Sequence, residues 1–365
     1  MQNASTFAIN LINYCVINQF YGSEAQSFFI SQILQQSLTS SQQSWWNNPN
    51  NTEAVAQIIL YLSQNGLNPI YNNSTPKTFN TESWNFAKNL TQLYVELENN
   101  PSFLIDIPNN QYQNWLPLVQ YSMPLSVINK ISNLQAQNST AVPNWDIQHL
   151  DGAQGAIVNM DFFPVTITQF PFKPNSTQRY TAQEFYNYFR LNINQFTAGT
   201  NVTFYPSTIT GVDENAIWTS NNPLNAIISI NMQPDSGSVI CSKYTSNHWY
   251  FTTLTTPWAF SFTQDDYDGL HPVSGNRAFG YYQDTNGNYV FYVRGIDRVQ
   301  RSVISTIGSM NPAWDSPFEP ADNLWNQMKD NLRNFINNNG GSSQINTNQI
   351  YRPNWNEVRD DLLGN

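Results

Sequence analysis

The stretch RAFGYYQDTNGNYVFYVRG, residues 277–295, decides the fold of the C-terminal half of the chain. Two runs of aromatic and β-branched residues flank the turn DTNGN, and residues of these types favour strands. An Asn-Gly pair between two such runs is a strong local signal for a β-hairpin. We therefore predict an antiparallel hairpin over residues 278–295 as a central feature of a sheet.

Further predicted strands and two well-marked helices surround this hairpin. Strands rich in β-branched and aromatic residues are predicted at 156–170, 226–233, 238–244 and 248–256. Thr181 and Glu184 have the spacing of a capping box at the start of a helix. Pro320 lies near the first turn of a second helix and Gly340 lies past its end. Residues 146–365 are therefore predicted to form an α+β domain with a mainly antiparallel sheet and flanking helices.

The first part of the chain has the periodicity of helices. Apolar residues recur every three or four positions in the segments 25–38, 52–66 and 83–101. Further helical segments follow over 114–137. The run NSTAVPNWDIQHLDGAQG, residues 138–155, is rich in turn formers and predicts a linker or a long surface loop. We therefore predict an all-helical N-terminal domain over residues 1–145.

The charge of the chain excludes some classes of partner. Only 11% of the residues are charged, against about 25% in an average soluble protein, and the net charge is −10. Non-specific binding to nucleic acid or anionic lipid needs clustered Lys and Arg, which the 15 Lys and Arg of this chain do not form. We therefore predict no such partner, although Arg294, Arg298 and Arg301 leave a local cationic pocket open.

The opening run and the cysteines predict neither a membrane span nor a cofactor. Residues 3–22 lack the basic segment and cleavage site of a signal peptide, and amide residues interrupt them too often for a spanning helix. Cys15 and Cys241 are each flanked by apolar residues, which predicts two buried thiols, with a single Cys15–Cys241 bridge as the alternative. No cysteine spacing suggests zinc and no phosphate loop is present, so no cofactor is predicted.

Residues around the hairpin are the best candidates for acid–base chemistry. His248 and His271 are two of the three histidines, and an imidazole can take and give a proton near neutral pH. The guanidinium of Arg277 or Arg294 can stabilise an anion between them. Arg294 and Asp297 also suit a structural ion pair, which is the alternative role. These five residues are the predicted catalytic candidates, for phosphodiester or nucleotide chemistry.

Metal binding is the weaker interpretation of the segment before the hairpin. Asp265, Asp266, Asp268 and His271 fall within seven positions. The glycine at 269 comes too early for a calcium loop, and no glutamate follows at the position that such a loop requires. A solvated turn is therefore favoured, and no metal site is predicted.

Aromatic residues suggest a different class of function. The chain contains 11 Trp and 19 Tyr, and such rings can cover the apolar faces of sugars. Trp45 and Trp46 lie among polar residues, which favours an exposed use, and Trp249 lies in the aromatic run 248–251. A non-catalytic glycan- or protein-binding module that uses these three residues is the alternative prediction.

The segments DGLHPVSGNRAFG (268–280) and FYVRGIDR (291–298) resemble parts of uncharacterised bacterial proteins, some of them secreted or toxin-like. The resemblance covers roughly 35 residues and implies no catalytic residue. It implies a bacterial protein that is exported or injected by secretion machinery without a cleaved signal peptide, with a cytoplasmic location as the alternative. We therefore expect an effector or toxin-like protein with a His/Arg-based hydrolase or transferase site in its C-terminal domain.

Overall fold

The computed structural model describes residues 38–49, 104–141, 143–153, 155, 157–232, 235–257, 269–300 and 318–364. The chain divides into two compact units, Met1–Pro101 and Ser102–Asn365. The described part of the first unit contains helix α1 (Ser40–Trp46). Thr39 and Gln42 form a capping box at the N-terminus of this helix. This helix is not one of those predicted; apart from Leu38, the helices predicted over 25–38, 52–66 and 83–101 lie outside the described residues, so the helical N-terminal domain stays a prediction.

The second unit is built on an antiparallel sheet, as predicted. Within its described residues the order of the strands is β10-β2-β8-β7-β6-β5-β4-β3, β1 pairs with β6, and β9 pairs with β2 beyond the end of β10. The bounds are β1 Asp146–Ile147, β2 Val158–Gln169, β3 Val202–Pro206, β4 Ile227–Met232, β5 Asp235–Tyr244, β6 His248–Thr255, β7 Val273–Gln283, β8 Tyr289–Val299, β9 Ser342–Ile345 and β10 Gln349–Tyr351.

The predicted hairpin is confirmed as the pair β7–β8, which lies in the interior of the strand order. Its turn begins at Asp284, whose Oδ1 accepts hydrogen bonds from the backbone N–H groups of Asn286 and Asn288, both at 2.9 Å. Gly287 follows with φ of +82°, a conformation that glycine adopts without strain. The Asn-Gly pair therefore provides the turn geometry that the sequence predicts.

Helices cover both faces of the sheet, so many strand residues are buried on either side. The bounds are α2 Leu116–Val119, α3 Leu125–Gln137, α4 Ala182–Leu191, α5 Ile193–Phe196, α6 Glu214–Thr219, α7 Glu319–Asn338 and α8 Trp355–Leu363. The first face carries Phe163, Trp249, Phe279 and Phe291 and packs on α4, α5, α6 and α7. The second face carries Met160, Tyr250, Ala278 and Ile296 and packs on α2 and α8, while α3 packs further along it.

The two well-marked helices have the ends that the sequence predicts. Thr181 caps α4, because its side chain accepts the Glu184 N–H and the Glu184 carboxylate accepts the Thr181 N–H. Pro320 lies in the first turn of α7, and Gly340 follows the helix with φ of +75°.

The boundary between the compact units lies near residue 101 rather than near 145. Helix α3 belongs to the second unit, where Val127 and Ile131 pack with Ile227 and Leu254 of the sheet. The segment predicted as a linker or surface loop is also packed, since Trp145 is 1% exposed and β1 extends the pairing of β6. The segment is therefore irregular and partly buried, while Ser139, Thr140 and His149 are exposed.

The edge of the sheet beside β2 is interrupted. Strands β9 and β10 both pair with β2, and residues 346–348 lie between them. At this break Pro164 has no N–H to donate, and its carbonyl oxygen accepts the Asn346 N–H at 3.3 Å. The Asn346 side chain then accepts the Thr166 N–H at 3.0 Å, in place of a backbone carbonyl.

Candidate functional site

The structure separates the predicted catalytic residues onto the two faces of the sheet. Arg277 and Asp297 lie on the first face, at odd-numbered positions shared with Phe279 and Val293. His248 and Arg294 lie on the second face, at even-numbered positions shared with Tyr250 and Ile296. Successive side chains of a strand point to opposite faces, so the five candidates do not form a single site.

The two histidines are far apart. His248 pairs with Gly280, while His271 precedes Val273 at the other end of β7. Gly280 lies seven positions after Val273, which is roughly 23 Å at the usual rise of a strand. The His248–His271 acid–base pair therefore does not form.

His271 has the environment of a structural residue. Its Nδ1 lies 2.9 Å from the carbonyl oxygen of Val273, and its backbone N–H donates to Oε1 of Gln148 at 2.7 Å. The ring lies against Gly237, where a Cβ atom would overlap it. Burial lowers the pKa of His271 to about 4. The imidazole is therefore neutral and enclosed at pH 7.

Arg277 and Asp297 meet in a buried ion-pair network with Asp161. The guanidinium of Arg277 donates to both oxygens of Asp161, at 2.6 and 2.7 Å, and to Asp297 at 3.0 Å. Nδ2 of Asn159 lies 2.9 Å from Asp161 and 3.4 Å from Asp297. Burial raises the pKa of Asp297 to about 6, and the Asp161 charge adds to that rise while Arg277 opposes it. The predicted Arg294–Asp297 ion pair does not form, because these residues lie on opposite faces.

This network joins three strands and leaves little room for a substrate. Asp161 lies on β2, Arg277 on β7 and Asp297 on β8. The guanidinium carbon of Arg277 lies 4.5 Å from the centre of the Trp325 ring of α7, and a Cβ at Gly295 would overlap the guanidinium. We interpret the network as a structural ion-pair centre, since its charges are directed at one another.

The second face carries a different arrangement, a row of residues across five neighbouring strands. In order the row consists of Lys243, Tyr250, Ala278, Arg294 and Phe162, each the register partner of the next. The next row contains His248, Gly280 and Tyr292. We call Lys243, His248, Tyr250, Tyr292 and Arg294 the cationic patch.

Arg294 lies among aromatic rings. Its guanidinium carbon is 4.4 Å from the ring centre of Phe162, 5.2 Å from Tyr292 and 5.6 Å from Trp115. Within the described part of the chain it donates one hydrogen bond, from Nη1 to the carbonyl oxygen of Asn114 at 2.8 Å, and its buried Nε has no partner. A guanidinium can donate five, so Arg294 keeps donors for a ligand.

Lys243 is the second cation of the patch. Its Nζ lies 4.8 Å from the ring centre of Tyr250 and 5.8 Å from that of Tyr121. Neither Lys243 nor Arg294 forms an ion pair with a carboxylate of the described residues, in contrast to Lys130 with Glu214. The bulge in the β5–β6 register between Cys241 and Lys243 places Lys243 opposite Tyr250. The patch therefore carries positive charge, although the protein as a whole is acidic.

His248 contributes the imidazole of the patch. Its ring stacks on Tyr250 with 5.1 Å between centroids, and Nδ1 lies 3.1 Å from both Thr245 Oγ1 and Asn247 Oδ1. Burial lowers the pKa of His248 to about 4, and the charge of Lys243 adds to the effect. Nε2 is shielded from water and has no partner among the described residues. At pH 7 the imidazole is therefore neutral.

The tyrosine hydroxyls of the patch are not engaged by other described residues. No hydrogen bond in the described ranges involves the hydroxyl of Tyr250 or Tyr292, whereas the hydroxyl of Tyr121 donates to Ser242 at 2.7 Å. Burial raises the pKa of Tyr250 to about 12, with Arg294 opposing the rise. The two hydroxyls therefore stay protonated at pH 7 and can donate hydrogen bonds to an anion.

The tryptophans predicted to bind sugars are buried. Trp45 is 4% exposed and Trp46 is 6% exposed, and Trp249 is fully enclosed in the core of the first face. Their apolar rings are used for packing, so the expectation that Trp45 and Trp46 are exposed is wrong. The structure offers no support for a glycan-binding surface at these residues.

The sequence indicated two residues of the patch and missed three. Lys243, Tyr250 and Tyr292 were not selected, although the period-two pattern puts Tyr250 beside His248 and Tyr292 beside Arg294. The signal for Lys243 depends on the bulge in β5, which local sequence does not reveal. Cys241 is buried, and burial raises the pKa of its thiol to about 12, while Cys15 lies outside the described residues.

Comparison with known proteins adds no relative. No protein-family model matches the chain, and no similar curated protein is found. In the ranges that the structure describes, no set of three or more His, Cys, Asp or Glu side chains is arranged to hold a metal ion. The helices in these ranges include none with both the length and the apolar character to cross a bilayer.

Proposed function

We propose that the second compact unit binds a phosphate group at the cationic patch, as the recognition step of a His/Arg-based hydrolase or transferase in an exported bacterial effector or toxin-like protein. Lys243 and Arg294 neutralise the phosphate, and the hydroxyls of Tyr250 and Tyr292 donate hydrogen bonds to it. His248 is the proposed proton acceptor, because its Nε2 has no hydrogen-bond partner among the described residues.

The observation that carries this proposal is the unused donor capacity of two cations. Two other buried arginines each donate two hydrogen bonds: Arg190 donates to Ser220 O at 2.9 Å and to Trp218 O, although its Nε also has no partner, and Arg298 donates to Leu150 O and Gly155 O. Lys243 donates no hydrogen bond within the described ranges, and Arg294 donates one. Cations without carboxylate partners beside free hydroxyls favour an anionic ligand.

The position of the cations fits one ligand. Lys243 and Arg294 are separated by three strand spacings, roughly 14 Å between Cα atoms. Their long side chains act on the same residue, since Lys243 lies over the Tyr250 ring and the charge of Arg294 opposes the rise that burial causes in the pKa of Tyr250. A phosphate group near Tyr250 is therefore within reach of both cations.

Calorimetric titration of the full chain with pyrophosphate tests the binding step. We expect the wild type to bind more weakly as salt rises, because screening weakens charge pairs. Lys243→Gln is expected to weaken binding about ten-fold, because a charge-assisted hydrogen bond is lost. Arg294→Lys keeps the charge and loses the planar fork, so we expect an intermediate loss.

The matched control is Arg333→Gln, which removes an exposed cation that lies 3.6 Å from Asp330. This variant is expected to bind pyrophosphate as the wild type does. Absence of binding by the wild type, or an equal loss in Arg333→Gln, would contradict the proposal. Toxicity on expression in bacterial cells tests the effector part: Lys243→Gln and His248→Gln should reduce it, while Arg333→Gln should not.

A further inference from the structure

We infer that the phosphate group recognised by the cationic patch belongs to a nucleotide, whose base stacks on Tyr282 at the rim of the patch. This inference rests on the proposed function and adds the class of ligand. The patch is one of cations among aromatic rings, and that combination binds planar bases together with their phosphates.

Tyr282 is the residue that indicates a ligand with a planar ring. It lies on β7, two residues from Gly280, and therefore on the same face as the patch. Its side chain is exposed, at 43%, and its ring centroid is 5.9 Å from that of Tyr292 at an interplanar angle of 48°. A large aromatic ring left accessible beside a binding patch offers a surface for stacking.

The charges place this ring beside the proposed phosphate site. Burial raises the pKa of Tyr282, Arg294 opposes that rise and Asp284 adds to it, so the hydroxyl of Tyr282 and the guanidinium lie close enough to interact. Tyr292 lies between them in the register, since it is the partner of Gly280 and two residues from Arg294. A ligand bound to Arg294 through phosphate can therefore reach Tyr282 with an attached group.

The composition of the patch favours a flat base over a sugar alone. One or other of the two cations lies 4.4 to 5.8 Å from the ring centres of Phe162, Tyr292, Trp115, Tyr250 and Tyr121. No carboxylate or side-chain amide of the described residues bonds to either cation or to the hydroxyls of Tyr250 and Tyr292. Stacking on rings needs no specific polar partner, and each base has a flat face for it.

The test compares adenosine diphosphate, pyrophosphate and ribose 5-phosphate on the full chain by calorimetry. We expect adenosine diphosphate to bind about ten-fold more tightly than pyrophosphate or ribose 5-phosphate. Tyr282→Ser should remove that advantage and leave pyrophosphate binding unchanged, while Tyr282→Phe, which keeps the ring, should retain it. Tyr282 is exposed, so both variants are expected to fold.

The outcomes distinguish this inference from the proposed function. Equal binding of adenosine diphosphate and pyrophosphate, or equal binding of ribose 5-phosphate and adenosine diphosphate, would overturn the nucleotide and leave the phosphate site in place. An advantage that survives in Tyr282→Ser would overturn the stacking role. Failure of all three ligands to bind would overturn the proposed function itself.

Discussion

At the scale of single residues, the ion-pair network of the first face shows how a protein with few charges uses them. The guanidinium of Arg277 forms ion pairs with two carboxylates, those of Asp161 and Asp297. Desolvation of a buried charge must be offset by a partner, and Asp161 receives the bidentate contact and the Gly295 N–H at 2.9 Å. Asp297 receives one contact from Arg277, which opposes but does not cancel the rise in the pKa of Asp297 that burial causes.

The stability contributed by Asp297 is expected to fall as pH rises. The pKa of Asp297 is about 6 in the folded protein, above its ordinary value of 3.8, so the folded state binds the proton more tightly than the unfolded state. The contribution is fully present below about pH 4 and is lost as pH rises through 6. Wild-type protein should therefore lose stability relative to Asp297→Asn between pH 4 and 7, as measured by urea unfolding.

Asp330→Asn is the control for this titration, since the Asp330 side chain is 46% exposed. Its difference from the wild type should vary little over the same range of pH. A difference between wild type and Asp297→Asn that stays constant from pH 4 to 7 would show that Asp297 keeps an ordinary pKa in the folded protein.

At the scale of elements, the capping box of α4 is the clearest local determinant. Thr181 supplies the acceptor for the Glu184 N–H, and Glu184 supplies the acceptor for the Thr181 N–H. Thr181→Ala leaves the first turn without its cap, so we expect a loss of about 1 kcal/mol in the free energy of unfolding. Chemical denaturation should detect it, and Thr181→Ser should restore most of it. An unchanged midpoint in Thr181→Ala would contradict the role of the cap.

Elements with local signals were predictable, and the relations between elements were not. The hairpin turn at Asn286-Gly287 and the capped helix α4 depend on neighbours in sequence, and both are confirmed. The cationic patch depends on the register of four strands, which aligns Lys243 with Arg294. The buried state of Trp45, among polar neighbours, depends on packing that composition does not reveal. A local pattern specifies an element but not the surface to which it contributes.

At the scale of the whole molecule, the compact unit that starts at Ser102 predicts which fragment folds. A fragment of residues 102–365 keeps α3 and Trp115, whose indole N–H donates to the Gly295 carbonyl oxygen at 2.9 Å. A fragment of residues 146–365, cut at the boundary predicted from sequence, loses both and exposes the parts of the second face that α2 and α3 cover. We expect cooperative thermal unfolding of the longer fragment and loss of the cooperative transition in the shorter one.

The longer fragment contains 44 residues, 102–145, that the shorter fragment lacks, so the comparison isolates the contribution of this segment. Lys130→Gln in the longer fragment provides an intermediate case, because it removes the ion pair with buried Glu214 while it keeps α3. Equal transitions for the two fragments would show that this segment is dispensable for the sheet.

The interrupted edge beside β2 has a consequence for how copies of the molecule behave in concentrated solution. An unbroken outer strand presents a regular ladder that a second chain can extend, and such growth leads towards fibrils. Here residues 346–348 interrupt the outer strand and divide it into β9 and β10, which have four and three residues. Because Pro164 lacks a donor at this break, neither segment continues into the other, and we expect each to be a poor template for a second chain.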